Sequence, residues 1–245
     1  MKTALDTFDA NVKQVHNLMN FDKGIMDIVL HHLQHLKEML TRQGNVRPTQ
    51  EVDKYITVFS NIQKNDSLRI HYETIVNQCV VLLVSYFATA LEDVFKHCLL
   101  SSLDRDTPDT ISAEKVTFSL AELKELDFNV AERIADIVAT KDDMSFQDMK
   151  SVSRAFSSYF DFAPDRDSTL NNIIIGQAAR HIIVHNGAKI NARFTRQIRS
   201  AMPRTLLTDI PDHGKLNFAR ENVTLLAESM TVYLQTLSAG LRKYE

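Results

Sequence analysis

Three observations predict an all-helical fold for this chain of 245 residues. Glycine and proline number only 6 and 5, whereas average usage is roughly 7% and 5% of residues. So few turn-forming residues disfavour a many-stranded sandwich or barrel and a glycine-rich phosphate loop. Apolar residues recur every three or four positions, as on one face of a helix. With 44% hydrophobic and 24% charged residues, the composition excludes bulk disorder.

The apolar spacing places each helix in turn. Helices are predicted over residues 5–42 (with a break at Gly24), 52–62, 68–102, 119–126, 129–139, 146–162, 168–186, 190–202 and 218–241. Loops are predicted at 44–48, 104–112 and 141–145, and a turn at 64–67. The turn suggests two regions, an N-terminal helical region over 1–66 and a helical domain over 67–245.

The segment 68–102 is the most hydrophobic of the chain, and polar residues such as Asn77 and Gln78 interrupt it. A membrane-spanning helix needs about 20 mostly apolar residues, so a buried core helix is the expectation and no membrane partner is predicted. Cys79 and Cys98 would stand about 28 Å apart on this helix, beyond disulfide reach. With no disulfide framework and no apolar signal core near Met1, a cytoplasmic location is expected.

One short stretch combines residues suited to catalysis. Arg180, His181, His185 and Asn186 stand close together where an otherwise apolar helix is expected to end at Gly187. Arginine offers a permanent cation whose donor fork suits phosphate. Histidine titrates near neutral pH and can accept or give a proton. Such a set suits cleavage of a phosphodiester bond.

Helix geometry separates the two central members of this set. Arg180 and His185 are five positions apart, so an ideal helix turns them about 140° away from each other. Either the helix unwinds near Asn186, or a second copy of the chain completes the site across a two-fold axis.

This pattern resembles the HEPN superfamily (higher eukaryotes and prokaryotes nucleotide-binding), in particular stand-alone bacterial proteins of the RiboL-PSP type. The resemblance lies in an Arg separated by four residues from a His, with polar His181 directly after Arg180. It includes a long earlier helix containing Leu91 and Glu92, and covers residues 68 to about 240. Gly187 stands where toxins paired with nucleotidyltransferase antitoxins often carry Tyr. The resemblance therefore gives no support for an antitoxin that modifies such a Tyr.

The resemblance implies a HEPN-like helical bundle with an extra N-terminal helical region. It implies an endoribonuclease without metal or other cofactor that cleaves single-stranded RNA at a homodimer interface, in bacterial defence or toxin activity. His185 would perform acid–base catalysis and Arg180 would stabilise the phosphate. His181 and Asn186 would support the site, and Glu92 would orient its basic residues. An antitoxin or regulatory protein would be a further partner.

The charge distribution also indicates RNA. The net charge is only −3, yet no Asp or Glu occurs from Ser168 to Thr208, where six basic residues lie. These are Arg180, Lys189, Arg193, Arg196, Arg199 and Arg204. Lys189, Arg193, Arg196 and Arg199 are the candidate RNA-binding residues, and the three arginines would follow one side of a helix.

Structural interpretations stand beside these functional ones. Arg180 is equally suited to an ion pair with Glu92 or Asp93 that joins two helices. His181 and His185 share a helix face and could bind a metal, although no third ligand is evident. A non-catalytic HEPN module that binds RNA or a protein partner is the main alternative. The aromatic residues Phe156, Tyr159 and Phe160 are expected in the core.

Overall fold

The computed structural model describes residues 1–64, 69–103, 109–141 and 144–244. Ten α-helices and no strand occur in these ranges, as an all-α fold requires. The helices are α1 (Lys2–Arg42), α2 (Val46–Lys64), α3 (Arg69–Leu103), α4 (Asp109–Ser112), α5 (Leu120–Glu125), α6 (Ala131–Ala139), α7 (Met149–Phe160), α8 (Ser168–Asn186), α9 (Ala192–Ile198) and α10 (Arg220–Gly240). A short 3-10 turn, Arg242–Tyr244, follows α10.

Three local expectations were wrong. The loop expected at 44–48 is shorter, because α2 begins at Val46. α1 runs without a break through Gly24, around which a side chain would meet nothing within 4 Å. One glycine costs a helix interior only about 1 kcal/mol, which a helix of 41 residues tolerates. The expected loop over 104–112 contains a helical turn at Asp109–Ser112, while its first half lies outside the described residues. The turn expected at 64–67, with the domain boundary beside it, also lies largely outside them.

α3 is the centre of the fold. It packs against α1, α6, α7, α8 and α10, which explains why its sequence is apolar on every side. Within the described residues, the segment Tyr72–Leu103 is the one helical stretch long and apolar enough to cross a membrane, and half of its most apolar window is buried inside the fold. Cys79 and Cys98 are both buried on this helix, and neither forms a disulfide.

Aromatic rings fasten α3 to its neighbours. Phe95 is fully buried, and its ring centroid lies 5.2–5.6 Å from four other aromatic rings. Those rings belong to Phe146, Phe156, Tyr159 and Phe160. Such edge-to-face pairs add about 0.5–1.5 kcal/mol each beyond the area they bury. The expectation that Phe156, Tyr159 and Phe160 belong to the core is confirmed.

α1 has two different halves. Phe8 and Val15 are buried in the same core as α3 and α10. The second half packs instead against α2, where Lys37 forms an ion pair with Asp53 at 2.7 Å. Residues 20–64 therefore form a helical hairpin in which Val52 is the one buried hydrophobic side chain among those described.

We expect Phe95→Ala to lower the free energy of unfolding by about 3–5 kcal/mol, because it removes a ring at the centre of five aromatic side chains. Urea unfolding followed by circular dichroism measures this change. Leu120→Ala, at a side chain that is 84% exposed, is the control and should stay within about 0.5 kcal/mol of the parent protein. Equal effects in the two variants would contradict the central position of Phe95.

Candidate functional site

α8 carries the catalytic candidates and has well-defined ends. At its start the Asp167 carboxylate accepts the Leu170 N–H at 2.8 Å. At its end Gly187 adopts φ 57°, a left-handed conformation that favours glycine, as the sequence predicted. The Asn186 side chain donates to the Lys189 carbonyl at 2.7 Å and thereby holds the turn after the helix.

The helix remains continuous through Arg180 and His185. The first of the two ways to bring these residues together, local unwinding near Asn186, therefore does not occur in this chain. Arg180 is half-buried and lines a cleft, whereas His185 is exposed and does not line it. His181 lies between them: it lines the cleft, and its ring centroid is 4.8 Å from that of His185.

The cleft has a volume of about 830 Å³ and lies between the start of α7, the segment before α8, α8 itself and α9. Four cationic side chains line it: Lys150, Arg166, Arg180 and Arg193. Two acidic residues, Asp148 and Asp165, also line it, and the Asp148 carboxylate accepts the Ser151 N–H at the start of α7. The volume is sufficient for a nucleotide-sized ligand.

Within the described part of the chain, the cationic side chains of the cleft have no acidic partner. Among the described residues, no carboxylate lies within 4.0 Å of the charged nitrogens of Lys150, Arg180 or Arg193. An unpaired cation in a concave site provides a positive potential for an anionic ligand. The structural interpretation of Arg180, an ion pair with Glu92 or Asp93, is therefore not observed.

Glu92 has a different partner from the one expected. Its carboxylate lies 2.7 Å from Lys96, one turn further along α3. Lys96 in turn contacts Asp136 at 2.8 Å and so joins α3 to α6. Burial raises the pKa of neighbouring Asp93, and Lys96 opposes that rise. Glu92 thus contributes to an ion-pair network between α3 and α6, and no contact joins it to Arg180.

The basic residues after α8 do not form one strip along the cleft. Arg193 lines it together with Gln197 and Ser200, one and two turns further along the chain. Arg196 and Arg199 are exposed and lie outside the lining. Lys189 is exposed in the turn after α8, where its backbone pairs with Lys215 in an isolated bridge.

Sequence reasoning missed two cations and one amide of this site. Arg166 donates to the Asn171 side chain at 3.0 Å and to the Ser200 hydroxyl at 3.2 Å. Lys150 comes from the first turn of α7. Gln177 accepts the Met149 N–H at 3.0 Å and thereby joins the start of α7 to α8. Lys150 and Arg166 become neighbours of Arg180 through tertiary packing, which no local sequence pattern identifies, whereas Gln177 lies on α8 one turn before Arg180.

The environment of His181 favours its neutral form. Partial burial lowers the pKa of its imidazole below the ordinary value near 6.5. The positive charge of Arg193, the neighbouring His185 and Arg180 lower it further, in that order. At neutral pH His181 is thus an uncharged hydrogen-bonding group beside the cations of the cleft.

The histidine pair also bears on metal binding. Within the ranges that the structure describes, no group of three or more His, Cys, Asp or Glu side chains is arranged to hold a metal ion. His181 and His185 would supply two ligands, one or two fewer than protein zinc sites use.

No protein-family model, curated protein or solved structure matches this chain. The residues that indicate a function are therefore those of the cleft and the Arg180–His185 pair.

We expect Arg193→Gln to raise the pKa of His181, because it removes a positive charge that disfavours protonation of the imidazole. Titration of the histidine Cε1–H resonances by NMR measures the shift. Arg196→Gln is the matched control: it removes the same charge from the same helix, outside the cleft. An unchanged His181 pKa in Arg193→Gln, or equal shifts in both variants, would contradict the contact.

Proposed function

We propose that this protein is a cytoplasmic endoribonuclease with a HEPN-like fold, which acts as a homodimer and cleaves single-stranded RNA without a metal ion. The observation that carries the proposal is the position of Arg180, unpaired by any described carboxylate, in a cationic cleft on the helix that also carries His185.

The cleft supplies phosphate recognition. Arg180 and Arg193 approach it from α8 and α9, and Lys150 approaches it from α7. Three cations from three helices can neutralise successive phosphates of one strand, and a guanidinium can donate two parallel hydrogen bonds to a phosphate. Neutral His181 adds a hydrogen-bonding group beside Arg180.

His185 supplies the acid–base group from a second copy of the chain. Because α8 is continuous, His185 rises about 7.5 Å along the helix from Arg180 and turns about 140° away from it. A two-fold axis beside the end of α8 would bring the exposed His185 of one protomer to the cleft of the other.

The reaction needs no external nucleophile. The ribose 2′-oxygen attacks the adjacent phosphorus while a histidine accepts its proton. The bond from phosphorus to the 5′-oxygen breaks, and that oxygen gains a proton from an imidazolium. The products are a 2′,3′-cyclic phosphate and a 5′-hydroxyl end. Arg180 stabilises the negative charge that develops on the phosphoryl oxygens.

We further propose a biological role in bacterial defence or toxin activity. Such an activity needs restraint, which an antitoxin or regulatory protein would provide. Both proposals follow from the resemblance of the Arg180–His185 spacing to stand-alone HEPN proteins.

We expect purified protein to cleave single-stranded RNA in the presence of a chelator. Arg180→Ala and His185→Ala should each reduce the cleavage rate about 100-fold or more, since each removes a group that acts in the transition state. Gel analysis of end-labelled RNA measures the rate and identifies the cyclic phosphate end. Arg196→Ala, on α9 but outside the cleft, is the control, and full activity in both catalytic variants would exclude this assignment.

A mixture of the two inactive variants tests whether the site is composite. In a mixed dimer, one site combines the intact Arg180 of one protomer with the intact His185 of the other. We therefore expect mixing to restore activity to about one quarter of the parent rate, because roughly half of the dimers are mixed and each has one intact site. Absence of any restoration would show that both residues act within one protomer.

The second candidate function is an RNA-binding module without catalysis, and it is favoured by the absence of His185 from the cleft lining. Under both candidates, Lys150→Ala and Arg193→Ala should each lower the slope of log affinity against log salt by about 0.7, the value for one phosphate of a single strand. Fluorescence anisotropy with labelled RNA measures these slopes. Lys124→Ala, an exposed residue of α5, should leave the slope unchanged, and unaltered slopes in the two cleft variants would place RNA elsewhere.

A further inference from the structure

The helical hairpin of α1 and α2 exposes a row of large apolar side chains along α1. The apolar seam consists of Leu18, Phe21, Ile25, Ile28 and Met39, whose side chains are 43–66% exposed. Soluble proteins seldom expose contiguous apolar surface on this scale unless it contacts a partner.

The seam follows a seven-residue repeat. Positions 18, 25, 32 and 39 form one series and positions 21, 28 and 35 the other, and His32 and His35 occupy the places that are not apolar. Alternating spacings of three and four are typical of the contact positions of a coiled coil. Over 21 residues the seam extends about 31 Å, or three repeats. A straight helix drifts only about 20° per repeat, so the row stays on one face.

The contacts within the hairpin leave this face free. Met26, Leu33 and Leu40 of α1 are half-buried on the side where Lys37 pairs with Asp53 of α2. Ile25 and Ile28 project away from that side and are 45% and 59% exposed. α2 therefore covers a different face of α1, and another helix can lie along the seam.

We infer that the seam binds the same seam of a second copy of this chain. Two features favour a copy over an unrelated partner. The two contact series contain no Lys, Arg, Asp or Glu, so two identical seams can meet without burying like charges. A two-fold axis makes one patch sufficient for both partners, as in most homodimers.

The seam is a short two-helix contact of three repeats. We therefore expect the dimer to dissociate on dilution. His32 and His35 fix the register, since polar residues at contact positions favour one alignment of the helices over others. This inference stands independently of the proposed ribonuclease activity.

Sedimentation velocity of the full chain over a range of concentrations tests the inference. We expect the parent protein to shift from monomer to dimer as concentration rises, and the double variant Ile25→Lys, Ile28→Lys to dimerise at least about tenfold more weakly. Met39→Lys, at the far end of the seam, should weaken the dimer less. Two exposed apolar residues outside the seam provide matched controls: Val58→Lys on α2 and Leu120→Lys on α5 should behave as the parent.

Circular dichroism separates loss of the dimer from loss of the fold. The substituted side chains are exposed, so helicity and thermal unfolding of the double variant should match those of the parent at concentrations where both are monomeric. A parent protein that stays monomeric at every concentration would overturn the inference. So would a double variant that dimerises as strongly as the parent, which would place the dimer interface elsewhere, for example at the end of α8.

Discussion

The cleft depends on one buried carboxamide, that of Asn172 near the start of α8. Its oxygen accepts the backbone N–H groups of Thr205 and Leu206, at 3.1 and 2.9 Å. Its nitrogen donates to the hydroxyls of Thr205 and Ser229. These bonds join three parts of the chain, the start of α8, the segment after α9 and the middle of α10. Because the amide is 2% exposed, its donors and acceptors have no access to water, and the arrangement is strongly preferred over partly bonded alternatives.

The preceding residue extends this arrangement towards the cleft. Asn171 donates to the Pro203 carbonyl at 2.9 Å and accepts from Arg166 at 3.0 Å. Arg166 then contacts Ser200, directly after α9. The position of α9, and of Arg193 on it, is thus determined by polar contacts near the start of α8, about two to four turns away from the catalytic candidates. Close packing against α10 also fixes the position of α8, because a Cβ on Gly176 would lie only 2.7 Å from Leu226.

The sequence predicted most of the fold because helix signals are local. Apolar spacing located all the long helices, and Asn186-Gly187 ended α8 where expected. The break expected at Gly24 did not occur, because a glycine costs an exposed helix little free energy and does not stop it. The site was less predictable. Arg180 and Arg193 emerged from the acid-free block, whereas Lys150 and Arg166 lie outside that block and become neighbours only through tertiary packing. Glu92 was assigned to the site although its own helix offered Lys96 one turn away.

Because α8 is unbroken, activity would depend steeply on the amount of protein. Its glycine end holds the last turn in place, so Arg180 and His185 keep a fixed separation within one chain. Under the proposed function, the amount of active enzyme then rises with the square of protein concentration while monomers predominate. A tenfold increase in expression would give about a hundredfold increase in RNA cleavage. At low abundance most of the protein would thus be inactive monomer, and a modest rise in its amount would raise activity steeply.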